Sequence, residues 1–380
     1  MPRLKFNRRT YRCKPRPVLL AVLAAAIAML AFRAFTVLSD RMRLAAERVT
    51  KTNVSSFRGL FVVHCSYGLG NRLRAYSSAA ALAEISNRML LVVWQKDEHC
   101  NVSMADLFDV SSITVFEDDL RVLFQQQAMI ANTVFYDAIE SGKNDEIDLH
   151  KKQHIYVRTA FTLQARRNIL TPAQYERLTK RKLQGLSPVQ EVEEILDEMT
   201  AQVGSREYVS VHVRAVHDLR EDVPSTDARF EAIHRNAIEP LLEHRRSCTV
   251  DSFIRALRRL PKYQYNPKVV LFTDSTPVRR RFKETLQGIV DVESDFVNSC
   301  GDKRGRACIQ IALASMLFIS QGTHFIGSHW SSFSEQAYML HQGPWTFING
   351  CEAVNSNFYS TLWNTIVVRK KIETRARLSS

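Results

Sequence analysis

Four short stretches of this 380-residue chain collect the kinds of group that hold a negatively charged oxygen. The first is Gly68-Leu69-Gly70-Asn71-Arg72, glycine-punctuated and followed by an alanine-rich segment. Glycine lets a backbone come close to a ligand, and N–H groups at a helix start face an anion. The stretch lacks the Gly-Lys-Ser/Thr ending of a Walker loop. The second is His212-Val213-Arg214, which closes an apolar run. Residues two apart on a strand share a face, so this His and Arg can enter one crevice. An arginine fork stays protonated and gives two parallel hydrogen bonds, which suits a diphosphate. The third, Phe272-Thr273-Asp274, places a carboxylate where it can accept hydrogen bonds from a base or a ribose. The fourth runs from Gly327 through Ser328, Ser331, Ser332 and Ser334 to Glu335, a set of hydroxyls at another helix start.

Each stretch taken singly also has an ordinary structural explanation. A glycine turn can be a tight connection, and His212 and Arg214 a satisfied core histidine beside a surface arginine. Asp274 can cap the helix that follows it, and Ser331 can do the same, with Ser334 and Glu335 forming a polar first turn.

Hydrophobic periodicity supplies the elements that must position these groups. Gly59 to Cys65 is a short apolar run that predicts a buried strand, residues 66–72 a turn, Leu73 to Arg88 a helix and Met89 to Trp94 a second strand. Strand, turn, helix and strand make a βαβ unit, which implies a parallel sheet. Short apolar segments recur at Ile113–Phe116 and Ile155–Val157. Thr171-Pro172 and Ser187-Pro188 read as helix starts with Pro at the first helical position, the second helix reaching Val203. A second α/β series opens with a strand at Tyr208–Arg214 and continues with a helix over 248–260 and a strand over 268–274. Helices from Ser275 to Leu286, over 307–320 and over 331–340, with a short strand at 324–327, complete it. The length is enough for two cores, and the pattern divides the chain into α/β lobes at 57–205 and 206–380. In open parallel sheets the ligand crevice lies beyond the carboxyl ends of the strands, where all four polar stretches fall.

Apolar residues make up 45% and charged residues 24%, which is globular rather than disordered composition. The net charge of +13 is unevenly spread, since Arg3, Lys5, Arg8, Arg9, Arg12, Lys14 and Arg16 all precede the first apolar run. That run, Val18 to Leu38, is interrupted only by Arg33 and Thr36. At helical rise it covers about 30 Å, the thickness of a bilayer core. The basic flank predicts a cytoplasmic tail at 1–17, a signal anchor at 18–38, a stalk at 39–56 and a lumenal remainder. A cleaved signal peptide is the alternative and leads to the same compartment. Cations clustered beside an anchor, with no recognition motif, exclude nucleic acid as the partner. Cys13 falls on the cytoplasmic side; Cys65, Cys100, Cys248, Cys300, Cys308 and Cys351 can pair in an oxidising lumen as up to three disulfides, in combinations the sequence leaves open. No Cys/His cluster has zinc spacing. Asn53 and Asn101 head acceptor triplets for N-glycans.

In their order along the chain, Gly70-Asn71-Arg72, His212-Val213-Arg214, Thr273-Asp274 and Gly327 to Glu335 resemble the fucosyltransferase superfamily. That group includes α1,2-, α1,6-, nodulation and protein O-fucosyltransferases. The resemblance spans residues 57 to about 345, and Trp94, Glu98-His99-Cys100 and Asp106-Leu107-Phe108 look closest to the nodulation-type branch. It implies a GT-B-like α/β fold of two Rossmann-like lobes with parallel sheets facing a cleft, preceded here by one transmembrane helix. It also implies GDP-fucose as donor, a glycan or glycoprotein acceptor, and inversion at the sugar with neither metal nor other cofactor. The expected location is the Golgi membrane or the endoplasmic reticulum.

Carried over by position, Arg214 would bind the β-phosphate and stabilise the leaving GDP, with His212 beside it. Gly70, Asn71 and Arg72 would approach the donor from the first lobe, Asp274 would lie near the guanosine, and Ser328, Ser331 and Ser332 would meet phosphate. The α1,6 branch has two consecutive arginines where Ala215 follows Arg214 here, so a second phosphate contact falls to Arg72 or Arg220. Glu221 or Asp222 is the candidate general base. Asp118-Asp119 follows a polar turn and reads as surface, which favours Arg over a metal for charge stabilisation. Two rival readings use the same residues: a transferase for another nucleotide sugar, and a lumenal glycan-binding protein without catalysis.

Overall fold

Leu60-Phe61-Val62-Val63-His64-Cys65 is buried at every position, as a strand covered on both faces must be. It forms β1 (Leu60–Cys65), flanked in parallel by β2 (Met89–Val93) and β5 (His154–Thr159). With β3 (Thr114–Phe116) and β4 (Thr133–Asp137) the sheet runs β3-β2-β1-β5-β4, parallel throughout. β6 (Tyr208–Val213) is the middle strand of a second parallel sheet ordered β10-β9-β6-β7-β8, built with β7 (Lys268–Thr273), β8 (Ile289–Val290), β9 (His324–Gly327) and β10 (Thr346–Asn349). The structure, a computed structural model, describes residues 57–121, 132–141, 146–150, 154–166, 169–205, 207–214, 247–260, 268–292, 296, 300–302, 304–328, 331–343 and 346–351. The expected tail, anchor and stalk with Asn53, and the segment holding Arg220, Glu221 and Asp222, lie outside the described residues. Among the described residues no helix is long and apolar enough to cross a membrane.

Helix α1 (Leu69–Ile85) begins at Leu69 rather than at Leu73, where periodicity places it. The glycine-punctuated stretch is therefore the helix start itself: Gly68 is the extended N-cap residue, and its carbonyl accepts from the Asn71 and Arg72 N–H groups. Helix α2 (Pro172–Gln184) has Pro at its start and a reciprocal capping box between Thr171 and Gln174. Helix α3 (Gln190–Val203) starts later than its Ser-Pro signal, because Pro188 pairs with Phe108 in an isolated bridge. It stops at Gly204, whose φ of 63° is the left-handed cap glycine favours. Helices α4 (Val250–Arg258), α5 (Thr276–Thr285), α6 (Arg306–Gln321) and α7 (Ser332–Leu340) lie where their spacing and caps put them.

The two sheets do not bury separate cores. One apolar cluster takes Phe61, Val63 and Val157 from the first sheet and Tyr208, Val270, Phe272 and Phe325 from the second. Between them it takes the apolar faces of α1, α3, α6 and α7. Helix α1 packs on both α2 and α7, while α3 packs on α6. Smaller clusters cover the opposite faces, around Val62, Leu91 and Phe116 on one sheet and Val211, Phe253 and Leu271 on the other. Of the six expected lumenal cysteines, Cys248–Cys351 and Cys300–Cys308 are bonded. Cys65 and Cys100 are buried free thiols instead, pushed up by burial to about 12 and about 11.

At Gly70 the two halves meet backbone on backbone. A Cβ placed on Gly70 would lie 2.8 Å from the Ser332 carbonyl carbon and 2.9 Å from the Phe333 nitrogen. Neither atom can swing aside as a side chain can, so Gly70→Ala must push α1 away from α7. We expect a loss of about 1–3 kcal/mol, read from urea unfolding at constant m-value; an unchanged midpoint would show that this contact yields freely.

Candidate functional site

Strand register joins residues that are far apart in the chain. Val213 pairs with Thr273 and His212 with Phe272, so Arg214 and Asp274 emerge side by side at the carboxyl edge of the second sheet. Arg214 Nη1 forms an ion pair with Asp274 Oδ2, and their side chains are 30% and 46% exposed. His212 pairs with Gly327 on the other flank, which brings Ser328 against the same strand end. The buried Ser328 hydroxyl donates to the His212 carbonyl at 3.2 Å and accepts from the Arg214 N–H at 2.7 Å. It acts as one more rung of the sheet, fixing the Arg214 backbone while the guanidinium stays at the rim.

His212 itself is buried on the helix side of the sheet. Its ring stacks on Phe333 with centroids 4.5 Å apart, and Nδ1 shares a 2.7 Å hydrogen bond with Ser334 Oγ. Burial, with the Arg214 cation adding to it, lowers its pKa to about 3. The ring is therefore neutral at working pH and ties β6 to the first turn of α7. Ser331 is the N-cap of α7, accepting from the Ser334 N–H, and Ser332 opens the helix with its backbone against Gly70.

The first lobe reaches the same place through α1. Asn71 is half-buried, and its Oδ1 accepts from Arg74 Nη2 at 2.8 Å. Arg74 also donates to the Ala160 carbonyl and, at 3.1 Å, to Glu335 in the first turn of α7. Arg74 and Glu335 are only 20% and 13% exposed, so this ion pair is a shielded link between the halves. Arg72, carried over as a donor contact, is wholly buried. Its Nε donates to the Tyr67 carbonyl and Nη1 to the Gln95 carbonyl, both at 2.7 Å; Nη2 lies 2.7 Å from Asp97, and the group sits over Trp94. Asn101 is exposed, and the hydroxyl of its triplet, Ser103, caps a short 3-10 turn.

Sequence reasoning passed over two groups. Arg74 lies one helical turn beyond Asn71, a spacing that puts both on one face of α1 and could have revealed it. Asp119, read as surface, is half-buried and accepts from the Tyr156 hydroxyl at 3.1 Å, with His64 Nδ1 on that same hydroxyl at 3.1 Å. Burial lowers His64 to about 4; Asp119 opposes this, while Arg158, Arg121 and Arg72 add to it.

No family model matches the sequence, and no curated protein matches it. The chain is similar in structure to fucosyltransferase NodZ from Bradyrhizobium, at 17% identity over 74% of this chain and 92% of that one, with a TM-score of 0.46. It is similar to a mutant of Arabidopsis thaliana FUT1 in complex with GDP, at 16% identity over 77% of this chain and 70% of that one, with a TM-score of 0.48. It is also similar to POFUT1 in complex with GDP-fucose, at 13% identity over 77% of this chain and 98% of that one, with a TM-score of 0.45. These are members of the fucosyltransferase superfamily, whose motifs the sequence resembles.

The two buried histidines set a pH dependence. In the unfolded chain each takes up a proton near pH 6.5, whereas the folded pKa values are about 4 for His64 and about 3 for His212. The unfolded state then binds more protons below pH 6.5, so the stability they contribute is complete above it and lost as pH falls toward 4. Thermal midpoints should drop steadily between pH 7 and 4.5, and His212→Asn should flatten that slope. A wild-type midpoint independent of pH over this range would show that neither ring is held neutral.

Proposed function

We propose that this chain is an inverting fucosyltransferase that moves fucose from GDP-fucose to a glycan or glycoprotein. The observation that carries the reading is the Arg214 guanidinium at the carboxyl edge of β6, its backbone clamped by Ser328, with the start of α7 following the adjacent strand. The ordered motifs of the sequence support the choice of fucose and of a guanosine carrier. In this mechanism the acceptor oxygen attacks the anomeric carbon as the bond from that carbon to the β-phosphate oxygen breaks. The hydroxyl proton passes to a carboxylate base, Glu221 or Asp222, and GDP departs with the bonding pair. Negative charge grows on the diphosphate, and a guanidinium fixed beside a helix N-terminus stabilises that charge more in the transition state than in the ground state. The diphosphate takes the place of Asp274 beside Arg214, freeing that carboxylate for the guanosine. Ser332 and Asn71 complete the donor contacts from α7 and α1, and Arg214 does the work a metal would do elsewhere.

The same reading makes the chain a single-pass type II protein of the Golgi membrane, with the endoplasmic reticulum as the other candidate. Its support is the apolar run at 18–38 with a basic flank, together with two disulfides of the kind an oxidising lumen maintains.

The test uses the full chain in detergent with labelled GDP-fucose and a panel of glycan and glycoprotein acceptors. Arg214→Ala should lower kcat by about 10²–10³ with the thermal midpoint nearly unchanged. Arg214→Lys should recover little, because an ammonium cannot reproduce the planar fork. Transfer from UDP-sugars or other GDP-sugars in preference to GDP-fucose would replace the donor assignment, and full turnover by Arg214→Ala would remove the mechanism.

A further inference from the structure

Tyr67 and Asn87 are the non-glycine residues with positive φ among the described residues, and Tyr67 stands at φ 66°. Asn tolerates that region; a residue as bulky as Tyr seldom does, and such outliers collect at ligand sites. The surroundings hold Tyr67 there deliberately. Buried Arg72 grips its carbonyl at 2.7 Å while binding Gln95 and Asp97. Asp97 Oδ1 in turn accepts from the His99 N–H at 2.8 Å, and the His99 ring packs edge-on against Tyr67, centroids 5.2 Å apart. Two loops are thereby locked so that one aromatic ring, packed on His99, follows the carboxyl end of β1.

Around that ring lie charged groups whose hydrogen bonding is incomplete. The phenol is close enough to Arg158, Asp137 and Asp97 to feel their charges. Arg158 Nη1 lies 3.7 Å and Arg121 Nη2 3.3 Å from Asp137 Oδ2. Yet Asp137 Oδ2 and Arg158 Nε are both buried without a hydrogen-bond partner in the structure. An aromatic face beside a planar donor and a planar acceptor, nearly balanced in charge, matches a neutral pyranose. Its C–H face stacks on the ring and its hydroxyls meet the accessible parts of the Arg158 and Asp137 side chains, which are 32% and 23% exposed. We propose that Tyr67, with Arg158 and Asp137, binds the acceptor sugar; this deepens the transferase reading and rests on it.

The test uses the full chain in detergent on a printed array of oligosaccharides, with GDP binding measured in parallel and the best-bound glycan taken as acceptor. Tyr67→Gly should unfold at the same or a higher temperature, since glycine accepts the left-handed backbone freely. It should raise the acceptor KM about tenfold while the donor KM moves far less, and Tyr67→Phe should retain most of the glycan signal. A Tyr67→Gly chain with undiminished glycan binding overturns the inference, as does one that unfolds earlier and binds glycan as before. Wild-type chain that binds GDP but no glycan on the array also overturns it and leaves the donor site standing. Chain that binds neither removes the transferase reading itself.

Discussion

Two helices start at one point in this molecule, and the absence of a side chain at Gly70 is what permits it. The first turns of α1 and α7 meet backbone to backbone, one from each half of the chain. Each helix start carries partial positive charge, so the two repel unless something negative lies nearby. Helix α1 has no acidic residue in its first turn and no side-chain cap; α7 has Glu335, which is already engaged by Arg74. The junction therefore retains a positive potential, which suits the diphosphate of the proposed donor.

Three arginines divide the labour around this junction. Arg72 is a scaffold, buried under the first lobe and holding two loops in register. Arg74 spans the halves and orients Asn71. Arg214 stands at the strand edge, 30% exposed where Arg72 is wholly buried, with a carboxylate partner that is 46% exposed. A guanidinium paired with a half-exposed carboxylate can exchange partners at modest cost, whereas one clamped by buried carbonyls cannot. That difference, more than the presence of an arginine in a motif, fits Arg214 to the proposed donor contact and Arg72 to a structural role.

Much of the architecture was legible from periodicity and caps: β1, β2, β6, β7 and β9, and the starts of α2, α5 and α7, follow directly from runs of apolar residues bounded by Thr, Ser and Pro. Residues 66–72 read as a turn although α1 starts at Leu69, because glycine in a helix's first turn looks like a loop until the backbone that touches it is seen. Pro188 signalled a helix that begins later, since its own pairing is with distant Phe108. The edge strands β4, β8 and β10 are too short or too exposed for a distinctive pattern. Arg214 and Asp274 were each visible as strand-end groups, but their adjacency depends on which strands pair, and local patterning carries no such information. The fates of Arg72 and Asp119 were hidden for the same reason, because burial of a charged side chain is decided by partners distant in sequence.

The continuous core has a consequence for how this protein is made. Helices α1 and α3 bury their apolar faces against α7 and α6, which leave the ribosome long after them. At usual elongation speeds the interval between Gly204 and Leu340 is roughly 7–27 s. Throughout it, the nascent first half carries sticky helix surfaces with no permanent cover. Biosynthesis of this chain should depend heavily on holding chaperones, and truncated expression of the first half alone is a poor route to soluble material.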